Sequence, residues 1–147
     1  MRNHPRRERG FSLPELLIVA LLIAILTALL LRLYNDKLEE SRRAVDLANM
    51  RAAYSAAEYQ YISDPEGTVG KAFYFDVGSA ALTEKRPAGY GKSSAEPGGA
   101  EGWLRDVTVP FDAAHTFGPP NQNGKPMALR VKVDENGAVT LTWAPAR

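Results

Sequence analysis

The run from Phe11 to Leu31 constrains this chain more than any other stretch. It holds 21 residues, and Glu15 is the only charge among them. As a helix it would span roughly 31 Å, close to the thickness of a bilayer's hydrocarbon core. A carboxylate at the mouth of such a segment is costly there, and an ionisable side chain in that position reads as functional by default.

Charge is distributed unevenly around the run. Arg2, Arg6, Arg7 and Arg9 stand against Glu8 in the first ten residues, a local +3 within a net +1, which leaves −2 for residues 11–147. Basic residues directly before an apolar span hold that end on the cytoplasmic side, so the remainder of the chain is expected outside. The chain has no cysteine, which removes disulfides, thiolate metal ligands and thiol nucleophiles together.

The apolar run fits three readings: a cleaved secretory signal, a plain membrane anchor, or something more specialised. A secretory signal needs a small-x-small site after its apolar region, whereas Leu30-Leu31-Arg32-Leu33-Tyr34 is bulky. A plain anchor gives no role to Gly10 or Glu15. Nor does the helical pattern stop at Arg32. No Pro or Gly interrupts residues 15–62, and Ala is abundant from 44 to 57, so one helix of about 48 residues is expected. Tyr34, Leu38, Val45, Ala48, Ala52, Tyr59 and Ile62 form one stripe at helical spacing. Leu47, Met50, Tyr54, Ala57 and Tyr61 form a second on another face. Two uses fit the second stripe, packing in the groove of the chain's own domain or meeting neighbouring subunits. Asp64-Pro65 ends the helix, since Pro disfavours helix at the residue before it.

From residue 67 short β-like runs alternate with turn residues. Ala72 to Asp76 reads as a short strand or the end of a loop turn. Residues 85–102 read as an irregular, mobile loop rich in Gly, Pro, Ser and Ala. Val107-Thr108-Val109 is a β-branched run that Pro110 limits to an edge or a strand end, and residues 112–126 read as another loop. Met127–Val133 and Ala138–Ala144 alternate apolar with polar around Asp134-Glu135-Asn136-Gly137, a hairpin. Leu129, Val131 and Val133 share one face with Val139, Leu141 and Trp143. The expected fold is α+β: a long N-terminal helix, membrane-spanning in its first half, packed on a small antiparallel sheet of three or four strands.

Gly10-Phe11-Ser12-Leu13-Pro14-Glu15, behind a short basic leader and ahead of an apolar run into a long helix, resembles the class III signal of type IV pilins and type II secretion pseudopilins. The resemblance implies that a prepilin peptidase cuts between Gly10 and Phe11, leaving 137 residues, and N-methylates Phe11. It implies that Glu15 acts in assembly, pairing with the terminal amine of a neighbouring subunit in the filament core. The implied domains are a leader at 1–10 that is removed, a transmembrane and filament-core helix at 11–31, an amphipathic continuation at 32–62 and a β head at 63–147. Implied partners are the prepilin peptidase, other pilin or pseudopilin subunits, the membrane platform of the assembly machine, and lipid. The chain would be single-pass in the cytoplasmic membrane and then part of a surface filament or periplasmic pseudopilus. It departs from many pilins in lacking a helix-kinking Pro near Leu31 and a C-terminal disulfide.

The physical logic of Glu15 holds without the family. A charge at the bilayer centre costs about 2.5–3.5 kcal/mol on insertion scales, and cleavage would create an amine one helical turn away. A buried pair is a weak source of stability but a good device for register, because removing one partner is strongly destabilising. Capping of the helix start is the plainer use of the same carboxylate.

Other sites are weaker. Gly89-Tyr90-Gly91-Lys92-Ser93 carries a GKS triplet, but Arg86 stands where a P-loop needs its first glycine. His115 has no nearby partners for a triad or a zinc site. Asp112, Asn121, Asn123 and Asp134 match no EF-hand spacing and read as turn formers. Lys71, Lys85, Arg86, Lys92, Lys125, Arg130 and Lys132 are interspersed with Asp76, Glu84, Glu96, Glu101 and Asp106, which favours a mixed solvated surface over a nucleic acid patch. No cofactor, metal or catalytic residue is implied, and the chain reads as a non-enzymatic structural subunit. The competing readings are a single-pass anchored binding domain and a competence-type pseudopilin for DNA uptake.

Overall fold

A computed structural model describes residues 10–99 and 102–147. The basic leader, apart from Gly10, lies outside them. The chain divides into two compact units, one up to Leu38 and one from Glu39 onward.

Helix α1 runs from Leu13 to Ser63, 51 residues against the 48 expected. Asp64 ends it and caps the single turn α2, Pro65–Thr68, by accepting the Gly67 N–H at 2.9 Å. The strands follow: β1 Ala72–Asp76, β2 Ala81–Thr83, β3 Thr116–Phe117, β4 Asn121–Gln122, β5 Lys125–Val133 and β6 Val139–Pro145. They pair in the order β2-β1-β5-β6-β3, with β4 laid separately on β5.

The α+β layout holds, with a sheet different from the three or four antiparallel strands expected. It is mixed, because β3 runs parallel to β6. The two-residue strands β3 and β4 are also cut from residues 112–126, where sequence suggests only loop. The β3–β6 pairing is not local, so no alternation within the segment announces it, whereas β4 folds straight back onto the start of β5 through the Asn123-Gly124 turn. The reverse holds for 107–109, which form no strand. Val107 N–H donates to Leu104 O in a turn, and Arg51 Nη2 donates to Thr108 O at 3.0 Å, taking a carbonyl that a ladder would use.

The β5–β6 hairpin has the register read from its alternation: Leu129 opposite Trp143, Val131 opposite Leu141, Val133 opposite Val139. All six are buried. Asp134 Oδ1 accepts the Asn136 and Ala138 N–H groups at the turn, and Gly137 takes a φ of +80° that side-chain-bearing residues resist.

Within the second unit the sheet's inner face packs on α1 through Met50, Ala53 and Ala57, all fully buried, with Leu47, Tyr54 and Tyr61 at the margin. Alanine at 53 and 57 leaves room for the helix to lie close to the sheet. The second stripe is therefore the one that packs in the chain's own domain. The first stripe is the free one: Val45, Ala48, Ala52, Tyr59 and Ile62 are all exposed, Ile62 at 79%.

Candidate functional site

Three features could carry function: the entry to α1, the polar anchor of the 85–102 loop, and the surfaces left uncovered.

At the entry, Ser12 precedes the first helical residue and Glu15 stands three residues on. Glu15 Oε2 accepts both the Ser12 N–H, at 2.8 Å, and the Ser12 hydroxyl, at 2.9 Å. The carboxylate thus reaches back to the residue that opens the helix, as in a capping box, and it sits at the positive end of the peptide dipoles. Its other oxygen, Oε1, accepts nothing among the described residues. Pro14 lies in the first turn, where no carbonyl four residues back is displaced. Gly10 is exposed, and a Cβ built on it would meet nothing within 4 Å. Phe11 is exposed too, at 79%.

Beyond the entry, every residue from Leu16 to Leu31 is exposed, and the helix is long and apolar enough to cross a membrane. The single hydroxyl in the run is satisfied internally, since Thr27 Oγ1 donates to Ile23 O at 2.7 Å. No backbone or side-chain group in this stretch therefore obstructs transfer into lipid.

The second feature is Asp46, which sequence reasoning missed. It is fully buried on α1, and its carboxylate accepts the Lys92 N–H at 3.0 and 3.1 Å and the Ser93 N–H at 2.6 Å. Burial pushes its pKa up, the two amides pull it back, and the Glu39 charge adds to the upward push. Glu39 extends the anchor by accepting the Ser94 N–H at 2.9 Å. Tyr90 completes it: its hydroxyl donates to Phe75 O and accepts the Leu129 N–H at 3.1 Å, while its ring meets Trp143 edge-on at 5.6 Å. Burial pushes the Tyr90 hydroxyl pKa up, and the phenol stays neutral. Residues 85–99 are irregular as expected, but they are fastened to helix and sheet rather than free. The signal was present in the sequence. Asp46 stands four and seven residues before Met50 and Ala53, so it shares the core-facing side of the helix, where a carboxylate needs donors.

The GKS triplet thus turns its Lys92 and Ser93 amides onto an internal carboxylate, while the Gly91 N–H donates to Met127 O. His115 Nδ1 lies 2.8 Å from Asp112 in an exposed pair, and Asp112 also caps the 3-10 turn Ala113–His115. Asn123 takes a positive φ in the turn before β5. Asp112 and Asp134 both accept backbone N–H groups in turns, and no group of three or more His, Asp or Glu suited to a metal occurs among the described residues. Gly10, Phe11 and Glu15 lie close together along the chain, and none meets a second chemical cluster among the described residues.

Residues 5–31 match the family model of the prokaryotic N-terminal methylation motif, the class III signal of type IV pilins and pseudopilins. The match runs from the leader through the apolar run and ends where the charged part of α1 begins. The motif and the apolar helix together mark the N-terminal segment as a membrane anchor. No curated protein and no solved structure matches the chain.

Proposed function

We propose that this chain is the precursor of a structural, non-enzymatic subunit of a type IV pilus or pseudopilus. It inserts with its N-terminus cytoplasmic, is cut by prepilin peptidase between Gly10 and Phe11, and is N-methylated on Phe11. The platform of the assembly machine then moves it from lipid into a helical filament held by residues 11–31. The observation that carries this reading is the coincidence of the methylation motif at 5–31 with a helix whose apolar residues Leu16–Leu31 are all exposed among the described residues. Every apolar side chain from Leu16 to Leu31 must be covered by lipid or by other subunits.

Two local details support it. The space around Gly10 would accept a Cβ, so the fold makes no demand for glycine there; a peptidase that must admit the backbone closely would. Glu15 holds the helix start with Oε2, and Oε1 accepts nothing among the described residues, so one carboxylate can cap its own helix and still take a neighbour's Phe11 amine. Capping and pairing are compatible.

Mass spectrometry of the membrane-extracted protein tests processing. The expected species begins at methylated Phe11, and an intact Met1 terminus in cells with active prepilin peptidase would overturn the reading. Glu15→Ala should preserve insertion and cleavage while filament incorporation falls severalfold or more, measured in sheared filament fractions. Normal incorporation would remove the pairing role and leave only the cap.

A further inference from the structure

The chain holds two Asn-Gly dipeptides, Asn123-Gly124 and Asn136-Gly137, and each lies in the turn of a hairpin. This dipeptide has a chemistry of its own. The glycine's backbone nitrogen can attack the asparagine Cγ, and with no Cβ on the glycine that nitrogen is poorly shielded. A new C–N bond closes a succinimide ring, the Cγ–Nδ2 bond breaks, and the backbone amide proton leaves with Nδ2 as ammonia. Water then opens the ring at either carbonyl, giving aspartate or isoaspartate. Nothing is oxidised or reduced; one water is consumed and one ammonia is released.

The two sites share a sequence and differ in structure. At the β5–β6 turn the nucleophile is engaged, because the Gly137 N–H donates to Asp134 O at 3.1 Å. Asp134 Oδ1 also accepts the N–H groups on either side, from Asn136 at 2.9 Å and Ala138 at 2.7 Å. The Tyr61 ring packs on Gly137, so a Cβ built there would lie 3.0 Å from Cε1. Ring closure at Asn136 therefore has to break hydrogen bonds and move a neighbour. The β4–β5 turn imposes neither cost. Asn123 and Gly124 form a two-residue loop with φ of +52° and +79°, the signature of a type I′ turn. Both are exposed, and a Cβ built on Gly124 would meet nothing within 4 Å. Neither the Asn123 carboxamide nor the Gly124 N–H has a hydrogen-bond partner among the described residues. Of the other described asparagines, Asn35 and Asn49 lie within α1, and Asn121 precedes Gln122, which pairs with Lys125.

We propose that Asn123 is a site of spontaneous deamidation, and that its isoaspartyl product releases β4 from β5 and loosens the 85–99 loop. Isoaspartate routes the backbone through Cβ, which adds a methylene to a turn whose two residues set the register of the hairpin. β4 has little to resist this, since it pairs only Asn121 with Pro126 and Gln122 with Lys125. Beside it the Asn121 N–H donates to Ser93 O at 2.8 Å, and the Met127 N–H donates to Pro120 O at 2.8 Å. A lengthened turn pulls on both bonds, next to the Ser93 amide that Asp46 holds.

Incubation of the full chain in detergent micelles at mildly alkaline pH, followed by tryptic mapping and enzymatic methylation of isoaspartate, tests this. The two sites fall on separate peptides, residues 106–130 and 133–147, because Lys125 precedes a proline. Asn123 should convert at least about tenfold faster than Asn136, the ratio that lost hydrogen bonds at the second site impose. In denaturant the two rates should become comparable. Equal rates in the folded chain, a faster Asn136, no conversion at either site, or a ratio that survives unfolding overturns the assignment. The aged chain should be cut by protease within 85–99 severalfold faster than fresh chain. Freshly prepared Asn123→Asp, with the same charge on an ordinary backbone, should be cut like fresh wild type. Asn123→Gly, which keeps a positive-φ turn and has no carboxamide, should show no change with age. Unchanged cleavage of the aged wild type, or equally fast cleavage of fresh Asn123→Asp, overturns the release of β4 by the isoaspartyl backbone.

Discussion

Leu22 and Leu129 are the same side chain in opposite circumstances. Leu22 lies in the apolar run and is 54% exposed; Leu129 lies at the centre of β5 and is fully buried. Among the described residues up to Leu38 none is buried, so the apolar side chains there build no core. The unit from Glu39 onward closes its core with thirteen mutually packed buried residues. Hydrophobicity therefore does two jobs here. In the first unit it specifies a solvent, in the second a fold.

The largest effect that would break this contrast comes from making one substitution on each side. Leu129→Ala should destabilise the head by about 2–5 kcal/mol, the usual range for a buried leucine replaced by alanine. Leu22→Ala should leave head unfolding within about 0.5 kcal/mol of wild type, because no buried contact of the head is lost. Both are measured by thermal or denaturant unfolding of the detergent-solubilised chain, followed through Trp143 fluorescence. Comparable losses would mean that the apolar run contributes to the folded head.

Asp46→Ala comes next. It removes the acceptor for two amides, those of Lys92 and Ser93, and leaves them facing a buried space. Unsatisfied buried donors cost on the order of 1–3 kcal/mol each, and partial solvation on loop release reduces the sum, so a loss of about 2–4 kcal/mol is expected. The 85–99 segment should also become a protease site, while membrane extraction stays unchanged. Resistance to cleavage in that segment would show that Tyr90 and its ring contact with Trp143 suffice to hold it.

What could be read from the sequence divides along the same line. The long helix, its end at Asp64-Pro65 and the entry motif follow from local rules: uninterrupted helical spacing, one proline and six adjacent residues. The β5–β6 hairpin was legible because period two and a glycine turn act over fewer than twenty residues. Beyond that range the sequence is silent. That β1 pairs with β5 across some fifty residues, or that Phe117 joins β6 in parallel, depends on which partner the folded sheet leaves open. The two stripes on α1 were visible, but their apolar residues alone did not say which one packs. Asp46 decides that in retrospect, since a buried carboxylate marks the side on which the loop supplies amides.

The smallest prediction sharpens the role of that carboxylate. Asp46 has a folded pKa above the ordinary aspartate value of 3.8, chiefly because of burial. Between 3.8 and the raised value the folded head binds more protons than the unfolded chain. The contribution of Asp46 to stability is thus fully present below 3.8 and is lost as pH rises through the folded value. Asp76 and Asp112 act in the opposite sense. Serine and backbone N–H groups lower the first, and the Ala114 N–H with His115 lowers the second. Their stabilisation is present above the unfolded value and is lost as pH falls through the folded one. A raw stability profile mixes the two signs, so the informative quantity is the difference between wild type and Asp46→Asn, which cannot titrate at that position. Wild type should lose ground to the variant as pH rises from 3.8 toward neutrality, in unfolding curves taken at half-unit intervals. A difference that instead grows with pH would mean that the two amides outweigh burial. The loop would then be held by an ionised carboxylate with a pKa below the ordinary value.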